Sequence, residues 1–303
     1  MTEQRDDRHV FTVDVEEYFH VHAFDGAVER DQWETLPSRV GTAVRSLLDL
    51  LDAANAEATF FVLGWVAERE PALVREISDR GHEVASHGSS HRRIEELGPD
   101  AFRREARRSK QLLEDITGRP VLGFRAPSFS VVPGTEWALE ILAEEGYGYD
   151  SSIYPIRRPG YGYPGAGRDP HLVRTDSEPL LELPLATLRF AGMTLPAGGG
   201  AYFRFCPYAL FRRALGQSAD AGRPGVFYIH SWEIDPGQPR LPVSWVTRLR
   251  HYRNLANTGE RLTDLMSDFT FTSVRSRFGL NGSSGEVGDL TNSASVDSAL
   301  RSY

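Results

Sequence analysis

The stretch Gly81–His91, GHEVASHGSSH, decides how this 303-residue chain reads. Glu83–Ser86 has the character of a short strand, and it runs into a polar loop that carries two histidines. His87 and His91 are four residues apart, a spacing that on one helical turn brings both imidazoles to the same side. Imidazole is the commonest protein ligand of divalent transition metals, and the small residues Gly88, Ser89 and Ser90 leave room for one ion. An isolated HxxxH is also a common pattern on surface helices. The metal reading therefore rests on what the rest of the chain brings to the same place.

Outward from this stretch the chain alternates strands and helices. Just before it, Ala58–Leu63 (ATFFVL) is a near-continuous apolar run, as expected of a parallel strand buried on both faces. Glu70–Arg80 is helical, closed by Gly81 as C-cap. Ser38–Ala54 is an amphipathic helix with Ser38 as N-cap and Val40, Val44, Leu47, Leu48 and Leu51 inward. His9–Val15 alternates and is β-branched, which reads as a strand. Period two puts Thr12, Asp14 and Glu16 on one face and Val13 and Val15 on the other. Two carboxylates together at the end of an apolar strand are costly unless they bind something. Downstream, Pro99–Thr117 reads as helix, Val121–Phe124 as strand, Glu136–Glu145 as helix and Gly146–Asp150 as the approach to another strand. This rhythm of about 30 residues matches successive βα units. The fold class is α/β with a parallel sheet, most simply a barrel. Chemistry in such barrels sits at the C-terminal strand ends, where Asp14, His87, Arg125 and Asp150 all fall.

The second half is less regular. Ile156–Asp169 (IRRPGYGYPGAGRD) is a loop whose tyrosines suit stacking on sugar rings. Gly198–Arg204 (GGGAYFR) reads as a tight turn presenting Tyr202 or Arg204 to the site. Gly225–His230 (GVFYIH) is a buried strand ending in histidine at the same rim. Val243–Asn257 reads as a helix with Trp245 and Leu249 inward. Residues 1–275 are expected to form the barrel with its C-terminal extension, and 276–303, rich in Ser, Gly and Asn, a disordered tail.

Composition narrows the function. Hydrophobic residues make up 40% and charged residues 25%, ordinary for a globular protein. A net charge of −8 argues against a nucleic-acid partner, which would need a basic face. Cys206 is the single cysteine, so no intramolecular disulfide forms. The N-terminal residues lack a signal-peptide pattern and no run of 18 or more apolar residues occurs. The expectation is a cytoplasmic protein.

Five motifs in order resemble the polysaccharide deacetylase family, the NodB-homology or carbohydrate esterase family 4 enzymes. They are TVDVEEYF (Thr12–Phe19), SHGSSH (Ser86–His91), FRAPSF (Phe124–Phe129), YDSSIYP (Tyr149–Pro155) and FYIH (Phe227–His230). DVEEYFHV, GGGAYFR, HSWEIDPGQPR and RHYRNLANTGERL further resemble a subgroup found with bacterial exopolysaccharide assembly and exosortase systems. The resemblance implies a distorted (β/α) barrel. It also implies metal-dependent removal of N-acetyl groups from N-acetylhexosamine units of a polysaccharide or its oligosaccharide precursor, in exopolysaccharide biosynthesis. Membrane-bound polysaccharide assembly proteins are the implied partners.

The same resemblance assigns roles. His87, His91 and a carboxylate would hold a divalent metal, Zn2+ foremost, with Co2+, Ni2+ or Mn2+ as alternatives. The family's first motif has two adjacent aspartates, but here Val15 follows Asp14. Glu16, on Asp14's face, takes the ligand role, with Glu17 and His20 as lesser candidates. Asp14 is the general base, Arg125 its partner, His230 the general acid and Asp150 the group that orients the histidine. Phe129, Tyr154, Tyr202, Arg204 and Trp232 are the expected substrate contacts. Two alternatives stand beside this reading: an allantoinase-like hydrolase of a small ureide or amide, and a non-catalytic carbohydrate-binding barrel.

Overall fold

The alternation of strands and helices becomes one curled, mostly parallel sheet in the computed structural model, which describes residues 6–158 and 160–280. The strands are β1 (His9–Val15), β2 (Thr59–Val62), β3 (Glu83–Ser86), β4 (Gly123–Phe124), β5 (Tyr149–Asp150), β6 (His171–Val173), β7 (Leu180–Glu182), β8 (Thr187–Phe190), β9 (Met193–Pro196), β10 (Val226–His230) and β11 (Phe271–Thr272). The helices are α1 (Val40–Ala53), α2 (Gly64–Arg69), α3 (Pro71–Asp79), α4 (Ile94–Thr117), α5 (Trp137–Glu144), α6 (Gly200–Phe205), α7 (Tyr208–Asp220), α8 (Trp245–Tyr252), α9 (Thr258–Asp268) and α10 (Val274–Phe278).

The main sheet runs β10-β1-β2-β3-β4-β5-β7-β6, with β11 added beside the start of β1. Every pairing in it is parallel except β6 with β7. After β7 the chain bends back, so that Ala186 N donates to Val226 O at 3.0 Å and Leu185 bridges β10. That contact curls the sheet into a distorted barrel. All seven residues of β1 and all four of β2 are buried, because helices cover the outside and side chains fill the inside. Val13, Val15, Phe60 and Val62 pack outward on the helices with Val44, Leu47 and Leu48. Val10, Phe61, Ala85, Tyr149 and Leu181 fill the interior.

Several local expectations change for identifiable reasons. The N-cap of α1 is not supplied by Ser38. The Glu17 carboxylate accepts from the N–H groups of Arg39 and Val40 at 3.0 and 3.2 Å, and Ser38 Oγ donates to the same carboxylate at 2.5 Å. The glycines of GGGAYFR lead into α6 rather than forming a bare turn. Gly199, at φ 130°, presses so close to β10 that a Cβ would lie 1.8 Å from Tyr228 O. Trp245 and Leu249 point outward, 75% and 46% exposed, and α8 turns His251 and Tyr252 inward instead.

Residues 276–280, expected to open the tail, are structured. Ser276 and Arg277 continue α10, while Phe278 and Leu280 are buried in the barrel interior. The rest of that expectation, residues 281–303, lies outside the described residues. Helix α10 closes the N-terminal end of the barrel: Val274 N donates to Thr59 Oγ1 at 2.8 Å and Arg275 N to Glu83 Oε2 at 2.9 Å. Phe278→Ala is therefore expected to cost about 3 kcal/mol, by loss of apolar burial plus the cavity it leaves. Urea unfolding of the full chain measures it, and an unchanged midpoint would show that α10 is not part of the core.

Candidate active site

The C-terminal ends of β1, β3, β4 and β10 bring Asp14, Glu16, His87, His91, Arg125 and His230 together. Parallel register does the first part of this, since Asp14 and His230 are direct Cα partners across β1 and β10. The two histidines do not meet on a helical turn. They sit in a non-helical loop, with ring centroids 5.5 Å apart. The loop is held from both sides: Gly64 N and Trp65 N donate to Gly88 O and Ser89 O at 2.8 and 3.0 Å. The Glu105 carboxylate accepts from the N–H groups of Ser89 and Ser90 at 3.3 and 3.1 Å. Arg30 donates to the carbonyls of Ser90 and His91.

One ligand atom each from Glu16, His87 and His91 lies within 4.8 Å of the others, and all three residues are buried. Their hydrogen bonding leaves ligand atoms free. His87 Nδ1 lies 2.8 Å from Arg125 O; only a protonated Nδ1 can bond a carbonyl, so Nε2 keeps its lone pair, the arrangement usual for a metal-bound imidazole. Burial lowers the His87 pKa to about 4, which favours this neutral form. Glu16 Oε2 is buried without a well-formed hydrogen bond and lies 2.5 Å from His91 Nε2. Burial opposes ionisation of Glu16, but the surrounding histidines, His91 foremost, outweigh it and hold the carboxyl far below the usual range. Two imidazoles and an ionised carboxylate are a donor set that suits a catalytic divalent cation.

Glu17 and His20 take no part in this set. Glu17 is engaged at the α1 N-terminus, and its N–H donates to His20 Nδ1 at 3.1 Å. Accepting there leaves a neutral His20 with its proton on Nε2, so neither nitrogen offers a lone pair to an ion.

Arg125 is fully buried and spreads its donors over four acceptors. Nη1 reaches Asp14 Oδ1 and Thr12 Oγ1, both at 2.8 Å; Nε reaches Ser151 O at 3.0 Å, and Nη2 reaches Ser151 Oγ at 2.9 Å. It meets Asp14 through one nitrogen rather than a two-armed fork. Asp14 Oδ2 is turned toward His230, whose Nε2 is 4.0 Å away and also 3.9 Å from Glu16 Oε1. His230 is the reachable member of the group, its side chain 23% exposed.

Asp150 does not orient His230. It accepts from Ser152 N and Oγ at 2.9 and 2.6 Å and shares a buried contact with Glu182; burial raises both carboxyls, Glu182 the further. The histidine is held by Glu233, whose Oε1 lies 2.7 Å from Nδ1. Burial opposes charging of His230, but the Glu233 hydrogen bond and the charges of Glu16 and Asp14 raise its pKa to about 9. Glu233 in turn receives the Arg204 guanidinium at 2.6 Å. The signal for Glu233 lies in HSWEI: Ser231–Ile234 is a 3-10 turn, where residues three apart eclipse.

The expected substrate contacts mostly lie behind the site. Arg204 is 1% exposed, held by Glu233 and the carbonyls of Arg250, His251 and Arg253. Both faces of the Trp232 indole are covered, by His230 at 5.1 Å and His251 at 4.2 Å, while Nε1 donates to Glu16 Oε1 at 2.9 Å. Tyr154 is buried and its hydroxyl accepts from Gly198 N. Phe129 is 6% exposed, and Ser128 and Phe129 both take positive φ, as does His91, a strained conformation that recurs at functional sites. Tyr202 is half-buried, its hydroxyl 3.0 Å from that of Tyr161.

Residues 32–147 match the family described as Polysaccharide deacetylase, and residues 151–279 match a Domain of unknown function (DUF3473). Asp14 and Glu16 precede the first match, and His230 and Glu233 lie in the second. A peptidoglycan-N-acetylglucosamine deacetylase of Bacillus cereus is 30% identical over 95 residues, which are 31% of this chain and 34% of the relative. The chain thus matches about a third of the length of such curated relatives. A candidate polysaccharide deacetylase from Mycobacterium smegmatis superposes with a TM-score of 0.61 at 21% identity over 91% of each chain. Puue allantoinase superposes with a TM-score of 0.51 at 16% identity over 87% of this chain and 85% of its own. These two likenesses establish the fold alone. With the two matches and the motifs in agreement, the chain carries a polysaccharide deacetylase (NodB-homology) region at residues 32–147, followed by a DUF3473 region at residues 151–279.

Proposed function

We propose that this protein is a metal-dependent hydrolase that removes N-acetyl groups from N-acetylhexosamine units of an oligo- or polysaccharide. The observation that carries this reading is the convergence of Glu16, His87 and His91 with Asp14 on one side and His230 on the other. Glu16, His87 and His91 would hold a divalent cation, Zn2+ being the first choice for two imidazoles and a carboxylate. The chemistry such a cation supplies is polarisation of the amide carbonyl and acidification of water. Asp14 takes the water proton on Oδ2, the oxygen that Arg125 leaves open. Arg125 aims that carboxylate through the hydrogen bond from Nη1 to Oδ1. His230, its Nδ1 proton held by Glu233, gives the Nε2 proton to the departing amine. Trp232 fixes Glu16 through its indole N–H. The products are acetate and a free amino sugar. The exopolysaccharide setting is proposed on the resemblance of the DVEEYFHV and HSWEIDPGQPR stretches. Among the described residues no helix is long and apolar enough to cross a membrane.

The test is acetate release from N-acetylglucosamine oligomers by the metal-loaded full chain. Turnover of allantoin without acetate release would replace this reading with the small-ureide one.

Glu16→Gln is expected to weaken metal binding by at least about tenfold, while Glu17→Gln leaves metal content unchanged, because that carboxylate is committed to α1. Elemental analysis of both variants decides between them. Loss of metal on changing Glu17 alone would overturn the ligand set.

Asp14→Asn is expected to retain metal and lose about 10²- to 10⁴-fold in kcat, the usual worth of a general base. Metal loss in this variant would make Asp14 a ligand instead.

Glu233→Gln removes the charge that supports protonated His230. A general acid must carry its proton, so the basic limb of the kcat profile is expected to move to lower pH. A profile that only scales down, with both limbs in place, would show a structural role.

A further inference from the structure

The segment from residue 236 to 259 contains Arg240, Arg248, Arg250 and Arg253 and no Asp or Glu, in a chain with a formal net charge of −8. All four arginines are exposed, and none forms an ion pair with a carboxylate among the described residues. In their midst α8 presents Trp245, Val246 and Leu249 to solvent at 75%, 37% and 46% exposure. With 3.6 residues per turn, these three side chains fall within one arc of about 100°. Arg248 and Arg250 border that arc on either side, about 60° and 40° beyond its edges.

The exposure does not come from a loosely placed helix. Ser244 caps its start, accepting from Thr247 N at 3.2 Å. Its last turn is pinned by Arg204, which donates to the carbonyls of His251 and Arg253 at 2.7 and 2.8 Å. His251 stacks on Trp232, and Trp232 on His230. The apolar stripe therefore stands on a rigid helix beside the acid end of the candidate active site.

We propose that α8 is an interfacial helix that seats the protein on an anionic phospholipid surface. Trp245 and Leu249 enter the boundary between headgroups and acyl chains, and the four arginines meet lipid phosphates. An apolar arc with an aromatic residue, bordered by long cationic side chains that reach back to the headgroups, is the pattern of a helix lying in the interface. A second copy of the chain fits poorly, because a two-fold contact on this face would bring the arginines of both copies together. Three exposed apolar residues are also a small contact for a stable protein complex.

The experiment is flotation of the full chain with vesicles of phosphatidylcholine containing about 30% phosphatidylglycerol, against phosphatidylcholine alone. The expected result is flotation with the anionic vesicles only, reversed by high salt. Trp245→Ser with Leu249→Ser, and separately Arg248→Glu with Arg250→Glu, are each expected to lower the bound fraction by at least about fivefold, the worth of one basic residue near an anionic surface. Their thermal unfolding is expected to match that of the parent. Failure of the parent chain to float, equal binding to both vesicles, or variants that bind as well as the parent would overturn the proposal. So would a dimer that dissociates on changing Trp245 and Leu249, which would assign the face to a second copy. Flotation does not depend on turnover, so this inference stands or falls apart from the deacetylase reading.

Discussion

A guanidinium buried to zero exposure is tolerable only if its donors are all met, and meeting those of Arg125 organises the rim of this barrel. Its side chain draws in Asp14, Thr12 and Ser151, from two strand ends on opposite sides of β4. Its own carbonyl fixes the His87 tautomer. One residue thus orients the proposed base through its side chain and a proposed ligand through its backbone. The Phe61 ring beneath it, 4.2 Å from the guanidinium carbon, closes the remaining face. Lysine could not reproduce this, having three donors at one point where Arg125 directs three nitrogens to acceptors on separate strands.

A second buried arginine plays a parallel part on the opposite flank. Arg204 is enclosed by Glu233 and by the last carbonyls of α8. Through Glu233 it fixes the imidazole of His230. The two flanks differ in what the charge accomplishes. On one side a cation positions a carboxylate through a hydrogen bond. On the other, the Arg204 and His230 contacts overcome burial to keep Glu233 ionised, at a pKa of about 2, and that anion supports a protonated histidine.

The barrel and the rim positions were legible because they follow from periodicity. Alternation along His9–Val15 sets the parity that puts Asp14 and Glu16 on one side, and it carries one residue past the strand end because Ser231 Oγ ties down both N and O of Glu16. What was not legible depends on contacts between distant segments. Nothing local marks Arg204 as buried, since its acceptors are Glu233, 29 residues later, and carbonyls about the end of α8, some 46 to 49 residues later. Trp232 reads as a sugar platform from its type alone, and only the fold supplies the two imidazoles that cover it. Trp245 and Leu249 have inward spacing, but α8 has only eight residues and uses its final turn to pack. Ser38 looks like a cap, yet a carboxylate brought in from the end of β1 competes better for the same N–H groups.

The pairing of β1 on both sides has a consequence for how the chain is divided. The stretch matched by the polysaccharide deacetylase description ends at residue 147, and the DUF3473 stretch begins at 151. Yet β10 and β11, from the second stretch, hydrogen-bond directly to β1, which precedes both. The boundary between the two descriptions is one of sequence likeness, not of folding. A fragment cut there would carry β1 with a bare edge, its unpaired amides inviting association with other chains. It would also lack the histidine that lies in register with Asp14. The two stretches contribute strands to one continuous sheet, and the segment of unknown function supplies His230 and Glu233 to the wall of the candidate site.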